Sequence, residues 1–229
     1  MMETRSRKKL PFFDGESKSF EAEKIRSIQV NMQFSLLTQE NHKKIMFTSA
    51  NKGEGKTFCI INIAKEAANQ GKKVLLMDLD LHHPRLSQSL LPKERKGLMN
   101  AVVKEGNNKS IHDSIYKMDE NLYVLPTGVL PPNPLGIISS PIFAETLDLL
   151  EPKFDHIFID TPPVRVLSDG RVIASLCDGV VMIIRNGVTK LYEVEEAKDY
   201  IDKAGTPLIG AILNGSKYSE KDKKVYAYY

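Results

Sequence analysis

Residues 50–57 read Ala50-Asn51-Lys52-Gly53-Glu54-Gly55-Lys56-Thr57, and this stretch decides the fold. It fits the phosphate-binding P-loop pattern except that Ala50 replaces the first glycine. The two glycines would let the backbone curl, so that successive N–H groups face an anion at a helix N-terminus. Lys56 is then expected to reach the β and γ phosphates of a nucleotide, and the Thr57 hydroxyl to ligate Mg²⁺. An ordinary glycine-containing loop is the alternative.

The residues on both sides of this loop have the periodicity that a P-loop requires. Residues 43–48 before it read as a short buried strand, and a helix is predicted from Lys56 to about Gln70, ending at Gly71. Strand, loop and helix in this order favour the phosphate-binding interpretation over the ordinary loop.

Further apolar segments of strand length follow along the chain. They are residues 73–79, 122–125, 156–159, 180–184 and 208–213. Helical patterns lie between most of them, and residues 194–205 are one clear example. Apolar strands alternating with helices predict an α/β fold of P-loop NTPase type, with a mainly parallel, twisted sheet covered by helices on both faces. Ligands of such sheets bind beyond the carboxyl ends of the strands.

Length and composition predict one folded domain. The chain has 229 residues, of which 41% are hydrophobic and 27% charged. We expect a flexible basic segment over residues 1–18, the P-loop domain over 19–214 and a tyrosine-rich tail over 215–229. A formal net charge of +3 is too small to indicate a nucleic-acid-binding protein.

The cysteines and the apolar runs indicate a cytoplasmic protein. Cys59 and Cys177 lie far apart without a CxxC spacing, so no disulfide or zinc framework is predicted. No apolar run approaches the ~20 residues that cross a bilayer. Any association with a membrane would therefore come from a partner.

Acidic residues follow two of the predicted strands. Asp78 lies near the end of the segment 73–79 and Asp80 directly follows it, and Asp160 directly follows the segment 156–159. Carboxylates at the carboxyl ends of buried strands beside a phosphate loop can hold Mg²⁺ directly or through water. Asp80 could also accept a proton from an attacking hydroxyl. The alternative for each aspartate is a cap of a helix or turn.

The P-loop, the strand end Asp78-Leu79-Asp80 and the segment 159–163 together resemble the bacterial tyrosine kinases of capsule and exopolysaccharide systems, called BY-kinases. The resemblance covers nearly the whole chain, including the Pro-rich loop 131–134 and residues 212–214. It implies ATP and Mg²⁺ as cofactors and transfer of the γ-phosphoryl group to tyrosine.

The resemblance also implies roles for individual residues. Lys56 would bind phosphate, and Thr57, Asp78 and Asp160 would hold Mg²⁺. Asp80 would assist the tyrosine hydroxyl. Asn214 would contact adenine, although a lone asparagine in a turn is as often structural.

Tyrosines crowd the end of the chain. Tyr226, Tyr228 and Tyr229 lie among the last four residues, and Tyr218 lies upstream among several lysines. Chain termini are usually mobile, so these tyrosines could enter the site of another subunit and be phosphorylated there. An aromatic tail docked on a neighbouring surface is the alternative.

An amphipathic helix is predicted from Ala22 to Leu36, before the core. It resembles the oligomerisation motif Glu-x-x-Arg-x-x-Arg of the family, read here as Glu23, Arg26 and Gln29, with the last arginine missing. The resemblance implies a ring of subunits. A helix that packs on its own domain is the alternative.

The sequence departs from the family at His82, where an arginine is common, and His83 follows it. A neutral imidazole cannot replace a guanidinium fork. Adjacent histidines without further ligands are more often loop residues than a metal site, so no metal is assigned to them.

The absence of a transmembrane segment predicts the split form of these kinases, activated by the cytoplasmic tail of a separate membrane chain-length regulator at the inner face of the membrane. Proteins of polysaccharide synthesis would be substrates, and a protein-tyrosine phosphatase would reverse the reaction. The alternatives are a partition or cell-division ATPase, whose signature lysine is replaced here by Asn51, and an adaptor that binds nucleotide without turnover.

Overall fold

The computed structural model describes residues 19–37, 43–91, 95–104 and 108–219. Its elements in chain order are α1 (Phe20–Leu37), β1 (Lys44–Ser49), α2 (Lys56–Asn69), β2 (Val74–Asp78), α3 (Arg85–Leu90), β3 (Tyr116–Lys117), β4 (Leu122–Leu125), α4 (Pro134–Ile138), α5 (Pro141–Leu150), β5 (His156–Asp160), α6 (Asp169–Ala174), β6 (Gly179–Arg185), α7 (Leu191–Lys203) and β7 (Leu208–Asn214). Short π and 3₁₀ turns cover Asn100–Lys104, Asn108–Ser114 and Glu151–Lys153.

The strands form one twisted sheet in the order β3-β4-β2-β5-β1-β6-β7. Every neighbouring pair is parallel except β3 and β4, which are antiparallel. The predicted α/β fold with a mainly parallel sheet is confirmed. The short antiparallel strand β3 was not predicted.

Helices cover both faces of the sheet because successive strand residues point to opposite sides. On one face Ile45 and Phe47 of β1 join the apolar cluster that includes α2. On the other face Met46 joins the cluster formed with α5, α6 and α7. A strand buried on both faces reads as a continuous apolar run, which explains why the sequence located these strands closely.

The order of the strands determines which strand ends lie side by side at the edge of the sheet that carries the P-loop. β1 lies between β5 and β6, and β5 lies between β1 and β2. The carboxyl ends of β1, β2 and β5 are therefore neighbours at one edge. The P-loop follows β1, and the predicted aspartates end β2 and β5, so the topology brings them together.

Helix α1 packs on its own domain, against α2 and β7. Met32 is buried in the same cluster as α2, and Gln29 is only 1% exposed. Arg26 pairs with Glu23 in its own helix and lies 3.5 Å from Glu66 Oε1 in α2. In the single chain, the three residues of the oligomerisation motif thus contact their own domain.

Strand β7 differs from the buried strand that its apolar sequence suggested. Only Ile212 is buried, and Leu213 is 56% exposed. The reason is topological, because β7 is an edge strand and, in the part of the chain that the structure describes, no further strand lies beside it. Among the described residues, no helix combines the length and apolarity that a membrane crossing requires.

Candidate active site

The P-loop runs from the end of β1 to the first turn of α2. Gly53 and Gly55 have φ values of 84° and 92°, the left-handed region in which a side chain is strained. Gly55 is the N-cap of α2 and makes no side-chain capping bond. The helix therefore presents its positive end at the loop, as a binding site for an anion requires.

Asn214 supports the loop from the end of β7. Its Nδ2 donates to the carbonyl oxygen of Glu54 at 2.8 Å. A Cβ added at Gly55 would lie 2.1 Å from the same Nδ2, so only glycine fits there. Asn214 thus holds the backbone of the P-loop, and a contact with adenine stays a prediction.

Two carboxylates of the site have a buried oxygen without a hydrogen-bond partner among the described residues, Glu54 of the P-loop at Oε2 and Asp160 at Oδ1. Asp160 is 2% exposed, and its Oδ2 accepts a hydrogen bond from Thr57 Oγ1 at 2.8 Å. Its Oδ1 is buried and has no hydrogen-bond partner among the described residues. Because an unpaired buried carboxylate oxygen is costly, this position calls for a cation. Oxygen ligands from a threonine and an aspartate beside a phosphate loop fit Mg²⁺.

Asp78 is the register partner of Asp160 on the adjacent strand and is fully buried. Its Oδ2 accepts hydrogen bonds from the backbone N and the Oγ of Ser87, both at 2.7 Å. Its Oδ1 accepts one from the backbone N of Asp80 at 3.2 Å. Asp78 is therefore held by α3 and its own strand end. Sequence reasoning missed Ser87, since nothing in a separation of nine residues marks it as a partner.

Burial and the charge of a neighbouring carboxylate, Asp160 beside Asp78 and Asp80 beside Asp160, raise the pKa of both buried aspartates. Desolvation and, after it, the charge of Asp160 together raise the pKa of Asp78 to about 8, against the hydrogen bonds from Ser87. Desolvation also raises the pKa of Asp160 to about 6, and the Lys56 ammonium and the Thr57 hydroxyl act against that rise. Without a cation the pair is strained by its own charge.

This strain predicts how stability depends on pH. An aspartate in the unfolded chain ionises near pH 4, roughly, so between that value and about pH 8 the folded state holds protons that the unfolded state has released. The free energy of unfolding should therefore fall as the pH rises through this window. Asp160→Asn removes one charge and the repulsion on Asp78, so its melting temperature should fall less with rising pH.

Calorimetry without nucleotide on both proteins between about pH 5 and pH 8 measures this difference, because all other titrating groups are common to the two chains. Equal slopes for wild type and variant would contradict the raised pKa values.

The segment after β2 is bonded to two other elements. Asp80 is half-buried, and its Oδ1 accepts from the backbone N of His83 at 2.9 Å. His82 Nε2 lies 2.8 Å from Asp169 Oδ2 at the start of α6, and His83 Nε2 lies 3.1 Å from Lys52 Nζ in the P-loop. Both histidines thus contact neighbouring side chains. Within the described residues no cluster of side chains suited to a metal includes them.

Of the predicted tyrosine acceptors, Tyr218 lies within the described residues. Tyr218 is 43% exposed as a residue, and its ring lies 4.8 Å from that of Phe20, edge to face. Lys24 Nζ lies 5.3 Å from the ring of Tyr218. Tyr226, Tyr228 and Tyr229 lie outside the described residues.

Residues 42–204 match the family model described as an AAA domain. The tyrosine-protein kinase YwqD of Bacillus subtilis (strain 168) is 34% identical over 215 residues, covering 93% of this chain and 88% of that protein. The crystal structure of the chimerical protein CapA2B2 has a TM-score of 0.80 at 29% identity and covers 91% of this chain and 94% of that one.

The septum site-determining protein MinD of Pyrococcus horikoshii, complexed with Mg-ADP, has a TM-score of 0.64 at 23% identity. It covers 80% of this chain and 76% of that one, and shows only a shared fold. The family expected from the motifs is confirmed by the kinase relative. With 34% of the aligned residues identical along 93% of its length, this chain belongs to the family of bacterial tyrosine-protein kinases.

Proposed function

We propose that this protein transfers the γ-phosphoryl group of ATP to tyrosine hydroxyls, above all to those in the C-terminal tail of another copy. The observation that carries the proposal is the unpaired, buried Oδ1 of Asp160 beside the Thr57 hydroxyl at the P-loop of a tyrosine-kinase family member. A cation with a nucleotide satisfies that oxygen, and the crowded terminal tyrosines supply an acceptor.

ATP and Mg²⁺ are the proposed cofactors. Thr57 and Asp160 would hold the ion, with Asp78 nearby on the adjacent strand. The ion, when bound, neutralises charge on the phosphate oxygens. Lys56 is 8% exposed at the first turn of α2, where its ammonium would bind the β and γ phosphates.

Asp80 is the proposed proton acceptor. The phenolic oxygen of the tyrosine forms the new bond to the γ-phosphorus while the bond to the bridging oxygen breaks and ADP leaves. The phenol, with a pKa of about 10, is neutral at roughly pH 7. Since phosphoryl transfer is largely dissociative, the proton moves late to the Asp80 carboxylate, which mainly orients the nucleophile.

The resemblance to capsule and exopolysaccharide kinases supports a role in controlling polysaccharide synthesis. The proposed activator is the cytoplasmic tail of a separate membrane chain-length regulator, which would recruit the protein to the inner face of the membrane. A protein-tyrosine phosphatase would reverse the modification. Phosphotyrosine yield with and without the activator's tail tests this part of the proposal.

A ring of subunits would present each tail to a neighbour's site, because closed symmetry repeats one contact. The proposed contacts are Glu23, Arg26 and Gln29, of which Gln29 is only 1% exposed in the single chain and would have to turn outward to reach a neighbour. For Arg26 to reach a neighbour it must leave Glu23 and Glu66, to which it is bonded in the single chain. Such exchange is feasible since exposed ion pairs contribute little stability.

Phosphorylation of the tail should reduce the size of the particle. Each phosphate adds about −1.5 to −2 charges, and several of them near the aspartates of the next subunit would repel. Solution mass should decrease with ATP in the wild type. It should stay unchanged in Lys56→Met and in a variant with Tyr226, Tyr228 and Tyr229 changed to Phe. If the mass of the wild type does not change with ATP, phosphorylation does not control the assembly of subunits. That result would not affect the proposed kinase activity.

The activity itself is tested by incubating the purified protein with ATP and Mg²⁺ and measuring phosphotyrosine and free phosphate together. A kinase yields phosphotyrosine. A partition-type ATPase yields phosphate alone, and an adaptor yields neither.

A further inference from the structure

Arg165 connects the P-loop to helix α7 through contacts that the proposed reaction does not use. It lies five residues beyond the end of β5, and its side chain is 21% exposed. Its Nη1 donates to Asn51 Oδ1 at 2.6 Å and to Glu193 Oε1 at 3.2 Å. Its Nε donates to Glu196 Oε2 at 2.8 Å. One guanidinium thus joins the first half of the phosphate loop to two carboxylates of α7.

The network continues inside the loop. Asn51 Nδ2 donates to Glu54 Oε1 at 3.3 Å, and Thr189 Oγ1 donates to the same oxygen at 2.7 Å. Glu54 is only 2% exposed. The Thr189 hydroxyl also accepts from the backbone N of Arg185 at the end of β6. The loop is therefore fixed at two side chains, Asn51 and Glu54, by groups that come from outside it.

The geometry points to Arg165 as a positioning residue for nucleotide binding. A phosphate loop binds well only when its N–H groups already point at the phosphates, since ordering a flexible loop on binding weakens affinity. The planar guanidinium of Arg165 donates to Asn51 through Nη1 while its Nε is held by Glu196 of α7. A lysine ammonium cannot reproduce this two-sided geometry. Arg165 acts through Asn51 and touches no reacting atom, so its effect falls on affinity and spares the transfer step.

The inference rests on the proposed nucleotide site, and its test measures binding separately from transfer. Calorimetric titration with Mg·ATP should give a dissociation constant about tenfold higher for Arg165→Ala than for the wild type, the size of one lost charge-assisted hydrogen bond. Arg165→Lys should fall between them. The value of kcat at saturating ATP should change by less than about twofold. The reason is that Arg165→Ala weakens the binding of ATP equally in the ground state and in the transition state.

Arg171→Ala is the matched control. Its Nε donates to the Val164 carbonyl at 3.2 Å, and its guanidinium lies 3.4 Å from the ring centroid of Tyr200 in α7. Arg171 thus joins the segment after β5 to α7, as Arg165 does, but its contacts among the described residues do not include the P-loop. Its melting temperature should fall while its affinity for Mg·ATP stays at the wild-type value.

A double-mutant cycle with Asn51→Ala separates positioning from general stabilisation. If Arg165 acts through Asn51, the double variant should bind Mg·ATP no more weakly than the worse single variant. Additive losses, or an unchanged dissociation constant in Arg165→Ala, would overturn the inference. Should Arg165→Ala fail to fold, Arg165→Lys gives the same comparison. The kinase proposal fails by a different outcome. In that case the wild-type protein would bind Mg·ATP but make no phosphotyrosine.

Discussion

Lys56→Met is expected to lower ATP-dependent tyrosine phosphorylation by about 10²- to 10³-fold, the loss typical when one preorganised charge donor is removed from a transition state. Lys56 lies at the first turn of α2, where its ammonium acts to lower the pKa of the buried Asp160 carboxyl. Methionine keeps most of the length and apolar bulk of the side chain but cannot bind phosphate.

The fold of Lys56→Met should persist, because the sheet and its two apolar clusters do not depend on the ammonium. Removing a positive charge beside Asp160 leaves that carboxylate less compensated, so the pKa of Asp160 should rise further in the variant. Lys72→Met, at an exposed position just beyond the other end of α2, is the control and should keep wild-type activity. Full phosphotyrosine in folded Lys56→Met would refute the P-loop assignment.

Asp80, which lies just after β2, and Asp160, which ends β5, should give different kinetic effects when each is replaced by asparagine. Asp80→Asn is expected to lower turnover by about 10²-fold, the lower limit for removing a general base, with little change in nucleotide affinity. Asp80 is half-buried, and its Oδ1 accepts a hydrogen bond from the backbone N of His83. The amide oxygen of an asparagine can accept the same bond, so the substitution should fit without disturbing the loop. The asparagine lacks the charged carboxylate that orients the tyrosine hydroxyl and later accepts its proton.

Asp160→Asn should damage Mg²⁺-dependent binding and turnover together. The oxygen that has no partner is the one we assign to the cation, and asparagine offers at most a neutral amide oxygen there in place of a charged carboxylate oxygen. Titrating each variant with ATP, with and without Mg²⁺, separates the two roles. If both variants lose nucleotide affinity equally, the roles of Asp80 and Asp160 have been divided wrongly.

The sequence predicted the central strands closely because their physical signal is local. Residues 122–125 were predicted as a strand and form β4, and residues 156–159 form all but the last position of β5. A strand buried between two helical layers is apolar throughout, and its ends are marked by polar residues. The short helices α3 and α4 have six and five residues, too few to show a helical period.

The supporting contacts of the site could not be predicted in this way. Arg165 and Asn51 are 114 residues apart, and Asn214 and Glu54 are 160 apart. Such pairs meet only because the strand order brings β1, β5, β6 and β7 together. Motif spacing identifies residues that touch a ligand. Residues that hold those side chains in place have no fixed spacing, so Arg165, Ser87 and Thr189 appeared only in the structure.

The central claim is that this chain phosphorylates tyrosines in the tail of another copy. The most direct test mixes Lys56→Met, which has an intact tail, with the variant that carries Phe at positions 226, 228 and 229 but keeps its site. After incubation with Mg·ATP, mass spectrometry locates phosphate on each chain. Phosphotyrosine at Tyr226, Tyr228 or Tyr229 of the Lys56→Met chain, made only when both proteins are present, is the predicted result. Release of free phosphate from ATP with no phosphotyrosine on either chain would contradict it.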